Sequence, residues 1–267
     1  MAEMRKDDMH VAWVAPENGA NVVVNVPSMD VLLTDLKDYF AQRRGFALAT
    51  LNLDHVVKLR DEPAFRTAYL AQTHVTADGN PIVWLSRVAR QPVDLLPGSD
   101  LIAPLAALAA QMGIPVGLLG STEATLQAAA DALEAEHAGL QVVARLAPPM
   151  GFDPTGALAD DYIAQLEAAD VGLCFLALGA PKQELLAAHA IAKTDRVGFV
   201  SIGAGLDFIA GTQTRAPRLV RMIAAEWLWR MLSNPKRLAA RYAACFAVLP
   251  RVVLAALMAL RVYRCNV

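Results

Sequence analysis

Six apolar runs of strand length punctuate the chain: GFALATL (45–51), HVTA (74–77), PVGLLG (115–120), QVVARLA (141–147), VGLCFLALG (171–179) and VGFVSIGAG (197–205). Between them stand Ala- and Leu-rich stretches of helical period at 101–112, 122–137, 156–168 and 182–193. Near-continuous apolar strands alternating with such helices predict a Rossmann-like α/β fold, a mostly parallel sheet with helices on both faces. In sheets of this kind ligands bind outside the carboxyl ends of the strands. The residues that follow each apolar run are therefore the first place to look for chemistry.

Those residues are small or polar each time. Thr50 and Asn52 close the first run, Asp78-Gly79-Asn80 the second and Gly120-Ser121-Thr122 the third. Gly179 and Pro181-Lys182-Gln183-Glu184 close the fifth, and Gly203, Gly205 and Asp207 the sixth. Strand side chains alternate, so Thr50 and Asn52 share one face, as an ordinary strand edge would also allow. Asp78-Gly79 reads as a turn or as a carboxylate able to take a proton from a hydroxyl nucleophile. In Gly120-Ser121-Thr122 the glycine permits a tight turn, and the hydroxyls either cap the next helix or stand beside a phosphate at its N-terminus. Lys182-Gln183-Glu184 places three long polar side chains at a helix start on the same rim, with Gln183 a candidate ligand contact.

Charge divides the chain unevenly. Residues 212–267 hold ten Lys/Arg and one acid, Glu226, whereas residues 1–211 carry a net −11, within a total of −2. A division into an α/β domain at 1–210 and a basic, apolar helical appendage at 211–267 follows. Arg215, Arg218 and Arg221 recur at i, i+3 spacing and gather on one side of a helix, an arrangement that suits a phosphate. After Arg241 come YAACFAVLP, Arg251, VVLAALMAL and Arg261. Each apolar run is about half the roughly 20 residues a membrane span needs, and Pro250-Arg251 separates them, so an interfacial helix or hairpin on an anionic membrane surface is expected. A helix packed on the domain, or an interface between copies, is the plainer alternative. The number of copies in the assembly is open.

Absences narrow the chemistry. The chain has no Asp-x-Asp, no G-x-G-x-x-G fingerprint, no Gly-x-x-x-x-Gly-Lys-Ser/Thr and no Gly-x-Ser-x-Gly elbow, which disfavours a nucleotide-binding oxidoreductase and a serine hydrolase. His55, His74, His137 and His189 lack ligand spacing, and Cys174, Cys245 and Cys265 stand far apart, so neither a metal nor a disulfide framework is expected. The N-terminus, MAEMRKDDMH, has no apolar signal-like core, and a reducing, cytoplasmic setting is expected. A nucleic-acid binder using the basic tail would need more aromatics among the charges than Tyr242 and two tryptophans. A membrane scaffold without catalysis leaves the polar strand ends unexplained.

The assembled motifs resemble the WecG/TagA/CpsF family of bacterial glycosyltransferases. They are Thr50-x-Asn52, Thr76-Ala-Asp78-Gly79, Pro97-Gly98-Ser99-Asp100-Leu101, Gly117-Leu-Leu-Gly120, Gly151-Phe152, Leu178-Gly179-x-Pro181-Lys182-Gln183-Glu184 and Gly203-Ala-Gly205-x-Asp207. Arg215-Ala-Pro217, Glu226-Trp227-x-Trp229-Arg230, Pro235-x-Arg237 and Arg241-Tyr242 continue the series. The resemblance implies inverting, metal-independent transfer of a sugar, without a cofactor, from a UDP-sugar to a lipid-linked, polyprenyl-diphosphate saccharide during exopolysaccharide or cell-surface polymer synthesis. Its place of action would be the inner face of the cytoplasmic membrane, with no nucleic-acid partner. It assigns Asp78 as general base, with Thr50 a second catalytic residue, and puts Thr50, Asn52 and Gln183 in the same pocket. Gly79, Gly120, Ser121 and Asp207 complete the expected site, and Arg215, Arg218 or Arg221 is expected to cover the diphosphate. Relatives use different UDP-sugars, so the donor is not implied.

Overall fold

A computed structural model describes residues 22–213, 231 and 235–265. Each of the six apolar runs forms a strand: β1 (Phe46–Leu51), β2 (His74–Ala77), β3 (Val116–Gly120), β4 (Val142–Leu146), β5 (Leu173–Ala177) and β6 (Gly198–Ser201). All pair in parallel, in the order β2-β1-β6-β5-β3-β4. Every residue of β1, β3 and β6 is buried, as a strand covered on both faces requires, whereas β4 at one edge alternates between buried and exposed.

Among the described residues, nine helices wrap the sheet: α1 (Met29–Ala41), α2 (Leu53–Asp61), α3 (Pro63–Leu70), α4 (Asn80–Val88), α5 (Gly98–Met112), α6 (Glu123–Glu136), α7 (Ala157–Ala168), α8 (Lys182–Ile191) and α9 (Gly205–Ile209). One core layer joins Leu32 and Leu36 of α1, Leu101 and Leu105 of α5 and Leu126 of α6 to Phe46, Leu48 and Phe175 of the sheet. The alternate strand residues face the other way: Ala49 and Leu51 meet α2, α3 and α4, while Ala47 and Cys174 meet α7 and α8. The period-2 alternation of side chains within each apolar run thus serves two cores at once.

β2 is also an edge strand, yet it is wholly buried. The extended segment 22–28 protects it: Val26 N–H donates to Val75 O (3.2 Å), and the Asn25 amide accepts from Val75 N–H (2.7 Å) and donates to Thr73 O (2.8 Å). An unpaired strand edge invites association with another chain, and this strap removes the opportunity.

A further helix, α10 (Pro235–Cys265), decides between the helix and the hairpin left open for this segment. Pro250 lies inside it, and the chain runs through the anticipated break without a hairpin. A proline within a helix costs about 3 kcal/mol. Val248 and Val252, on either side of it, are buried with Ala256 in the core shared with α2 and α4, and this burial of several apolar side chains is of the right size to offset that cost. The buried positions follow helical spacing, while Phe246, Leu254, Leu257 and Met258 are exposed. The segment Ala239–Leu260 is long and apolar enough to cross a membrane. Arg215, Arg218 and Arg221 lie outside the described residues.

Candidate active site at the carboxyl rim of the sheet

Parallel pairing brings all six strand ends to one rim. β1 and β2 are neighbours, with Leu51 opposite Ala77, so the residues that follow them meet. Asn52 is the N-cap of α2: its Oδ1 accepts from His55 N–H (3.0 Å), and its Nδ2 donates to Asp78 Oδ2 (3.1 Å). Asp78 is itself pinned to β1 by its backbone, whose N–H donates to Leu51 O (2.7 Å). A capping residue that spends its oxygen on the helix can offer its amide hydrogens only outward, so the cap and the carboxylate determine each other's orientation. Thr50 is buried at the end of β1, and Gly79, at φ +109°, caps α4 behind Asp78.

A second cluster forms at the β3 end. Gly120 has φ +124°, and a Cβ on it would meet Ala177 O at 2.3 Å, so both the backbone conformation and the close passage of β5 demand glycine. Ser121 follows in the left-handed region at φ +53°, and its Oγ donates to Asp207 Oδ1 (2.8 Å). Asp207 Oδ2 accepts from Gln213 Nε2 (2.8 Å), and its carbonyl accepts from Thr212 and Gln213 N–H. Asp207 therefore ties the β3 turn to Thr212 and Gln213. Beside it opens the N-terminus of α6, capped by Thr122, whose side chain accepts from Thr125 N–H.

Between the two clusters stand the ends of β6 and β5, with turns at Gly203 and Gly179. The side of each glycine where a Cβ would project is open for 4 Å. Three inter-strand steps separate β1 from β3, about 15 Å at ~4.8 Å per step.

Gln183, expected as a ligand contact, is engaged within the protein. It is 3 % exposed, its Oε1 accepts from Gly203 N–H (3.0 Å), and its Nε2 donates to Glu184 Oε1 (2.8 Å). Both ends of the amide are thus engaged within the protein, holding the β6 turn against α8. Glu184 is fully buried, its Oε2 has no partner among the described residues, and burial pushes its carboxyl up to about 7.

Nothing in the sequence pattern singles out Tyr69 or Asp54. Tyr69 lies beneath Thr50, its hydroxyl donating to Thr50 O (3.1 Å) and standing 2.7 Å from His55 Nδ1. Burial pushes the phenol well above its ordinary range, aided by the negative charges of Glu184 and Asp78. Burial pulls His55 down to about 4, against an opposing influence from Asp54. Asp54, in the first turn of α2, receives Arg241 Nη2 at 2.6 Å and Lys58 Nζ at 3.5 Å. Among the described residues no three His, Cys, Asp or Glu side chains converge as a metal set would.

Compared with models of known protein families, residues 18–264 match that of the Glycosyl transferase WecG/TagA/CpsF family.

Proposed function

The chain belongs to the WecG/TagA/CpsF family of glycosyltransferases, UDP-sugar-using enzymes of cell-surface polymer synthesis, and from that premise we propose how its rim works. The donor lies along the strand ends, its sugar beside Asp78 and its diphosphate toward Ser121 and the N-terminus of α6. The acceptor is a lipid-linked saccharide presenting a hydroxyl to Asp78.

Asp78 takes the hydroxyl proton as the oxygen bonds to the anomeric carbon, the carbon's bond to the UDP oxygen breaks, and UDP departs with the electron pair. Attack opposite to departure inverts the anomeric centre. Developing charge on the diphosphate meets the first-turn N–H groups of α6 and the Ser121 turn, and Arg215, Arg218 or Arg221 is the candidate to cover it. Gly79, Gly120 and Asp207 shape and join these parts. The reading rests on the bond between Asn52 Nδ2 and Asp78 Oδ2, which aims a carboxylate at the rim from two adjacent strands.

The exposed face of α10, with Phe246, Leu254, Leu257 and Met258, supports docking of the enzyme on an anionic inner-membrane surface, where a lipid-linked acceptor resides. Residues 211–267 act in this reading as an appendage that both completes the site and meets the membrane.

The test is UDP release from a panel of UDP-sugars with membrane lipid extract as acceptor. Asp78→Asn is expected to bind the donor as the wild type does and to turn over about 100-fold more slowly or worse. Near-normal turnover would remove Asp78 from the base role.

A further inference from the structure

Below the rim lies a buried polar group that the proposed chemistry does not use. Tyr69 of α3 is 2 % exposed, its ring in edge-on contact with Phe65 and His55. Its hydroxyl has one proton and two neighbours. The hydroxyl donates to Thr50 O (3.1 Å), and with that proton spent His55 Nδ1 (2.7 Å) meets the phenol oxygen as a donor. His55 is therefore the tautomer with hydrogen on Nδ1. Burial keeps the imidazole neutral, down to about 4, and keeps the phenol protonated, so the pattern persists across working pH.

His55 has a second attachment. Its backbone N–H donates to Asn52 Oδ1 (3.0 Å), which leaves the Asn52 amide hydrogens to meet Asp78 Oδ2 (3.1 Å). One phenolic oxygen thus holds the backbone of Thr50 directly and, through the His55 ring and amide, the residue that aims Asp78. Buried hydroxyl and imidazole groups give little net stability over an apolar filling of the same shape, so their presence calls for a positional reason.

We propose that Tyr69 is a positioning residue of the active site, its hydroxyl setting the place of Thr50 and, through His55 and Asn52, of Asp78. The proposal rests on the reading of Asp78 as the base. Phe65 and His55 already fix the ring, so the position needs the oxygen for something other than packing. The charged and titratable groups around the network are Asp54 and Lys58 of α2, Arg241 of α10, Glu184 of α8 and Asp78 itself.

Tyr69→Phe in the full-length enzyme removes the oxygen and keeps the ring. UDP release is measured with whichever UDP-sugar of the panel gives the fastest wild-type rate, with membrane lipid extract as acceptor. The expected result is a kcat about 10-fold lower with donor KM within about twofold of wild type. In an Asp78→Asn background the same change is expected to cost nothing further, because the carboxylate it places is gone. An unchanged kcat, or a Tyr69→Phe loss that persists undiminished on top of Asp78→Asn, overturns the proposal while leaving Asp78 as base. A normal rate in Asp78→Asn alone instead overturns the base and the relay with it. Should Tyr69→Phe fail to fold, the His55 pair reads the same link. His55→Asn, whose amide N–H stands near the place of Nδ1, is expected to keep most of kcat, and His55→Leu to lose about 10-fold. Equal rates for the two overturn the proposal.

Discussion

Arg241 of α10 donates to Asp54 across 187 residues of chain, with Nη2 at 2.6 Å from Oδ2. Asp54 is 11 % exposed at the side chain and follows Asn52 by two residues, so this contact seats the appendage on the helix whose cap orients Asp78. The Arg241 side chain is 43 % exposed, which places the pair between a surface and a buried salt bridge. Arg241→Ala is expected to cost about 1–2 kcal/mol in chemical denaturation and to raise amide exchange selectively in 239–260. Lys58 remains beside Asp54 in that variant and limits the loss.

Gln183 is engaged by Gly203 and Glu184 within the protein. Gln183→Ala leaves a buried N–H and a buried carboxyl oxygen without partners, a cost of about 1–3 kcal/mol each at most. Thermal unfolding is expected to fall clearly, while donor affinity measured by calorimetry changes less than about threefold. A large affinity loss with unchanged stability would restore Gln183 as a direct contact.

Three buried groups make stability depend on pH in opposing directions. His55 and His74 are held neutral by burial, each down to about 4 from 6.5, and Glu184 is held protonated by burial, up to about 7 from 4.5. Between about pH 4.5 and 6.5 the unfolded chain binds two protons that the folded imidazoles refuse and lacks the one that folded Glu184 keeps. The net excess is one proton on the unfolded side, so these groups make stability rise with pH there, by on the order of 1 kcal/mol per unit. Glu184's own contribution is fully present below its unfolded value and is lost as pH climbs through about 7. Glu184→Gln is therefore expected to steepen the acid loss about twofold and to be more stable than wild type at about pH 8, as melting curves from about pH 5 to about 8 would show.

The proposed docking of α10 on a membrane is testable apart from folding. Leu254→Glu with Met258→Glu alters two exposed positions and none of the buried ones at 245, 248, 252 and 256. Binding to phosphatidylserine vesicles in a co-sedimentation assay is expected to fall about 10-fold or more, with little change in melting temperature. Unchanged vesicle binding would remove this face from the membrane.

The strands were legible because a strand buried on both faces must be apolar at nearly every position, and that requirement is written in consecutive residues. The rim was legible for a related reason: in a parallel sheet all carboxyl ends coincide, so polar residues after separate runs must come together. Thr50, Asn52, Asp78, Gly120 and Ser121 all stand there. Pro250 left helix and hairpin both open for the tail, because a proline's local cost is visible in sequence whereas the burial of Val248 and Val252 that offsets it is not.

Gln183 shows the same division at a single residue. Local pattern placed it at a helix start on the rim, where the structure has it, but whether its amide faces ligand or protein depends on Gly203, 20 residues away. Tyr69 is more remote still from any spacing rule, since its hydroxyl gains meaning only from Thr50 and His55, which lie 19 and 14 residues away on other elements. Short-range sequence thus determines the sheet, the rim and the residue types offered to it, because periodicity and strand polarity are local properties. Which of those polar groups are consumed within the protein and which are aimed outward is decided by folding, because a hydrogen bond needs partners within about 3 Å that only the packed chain supplies.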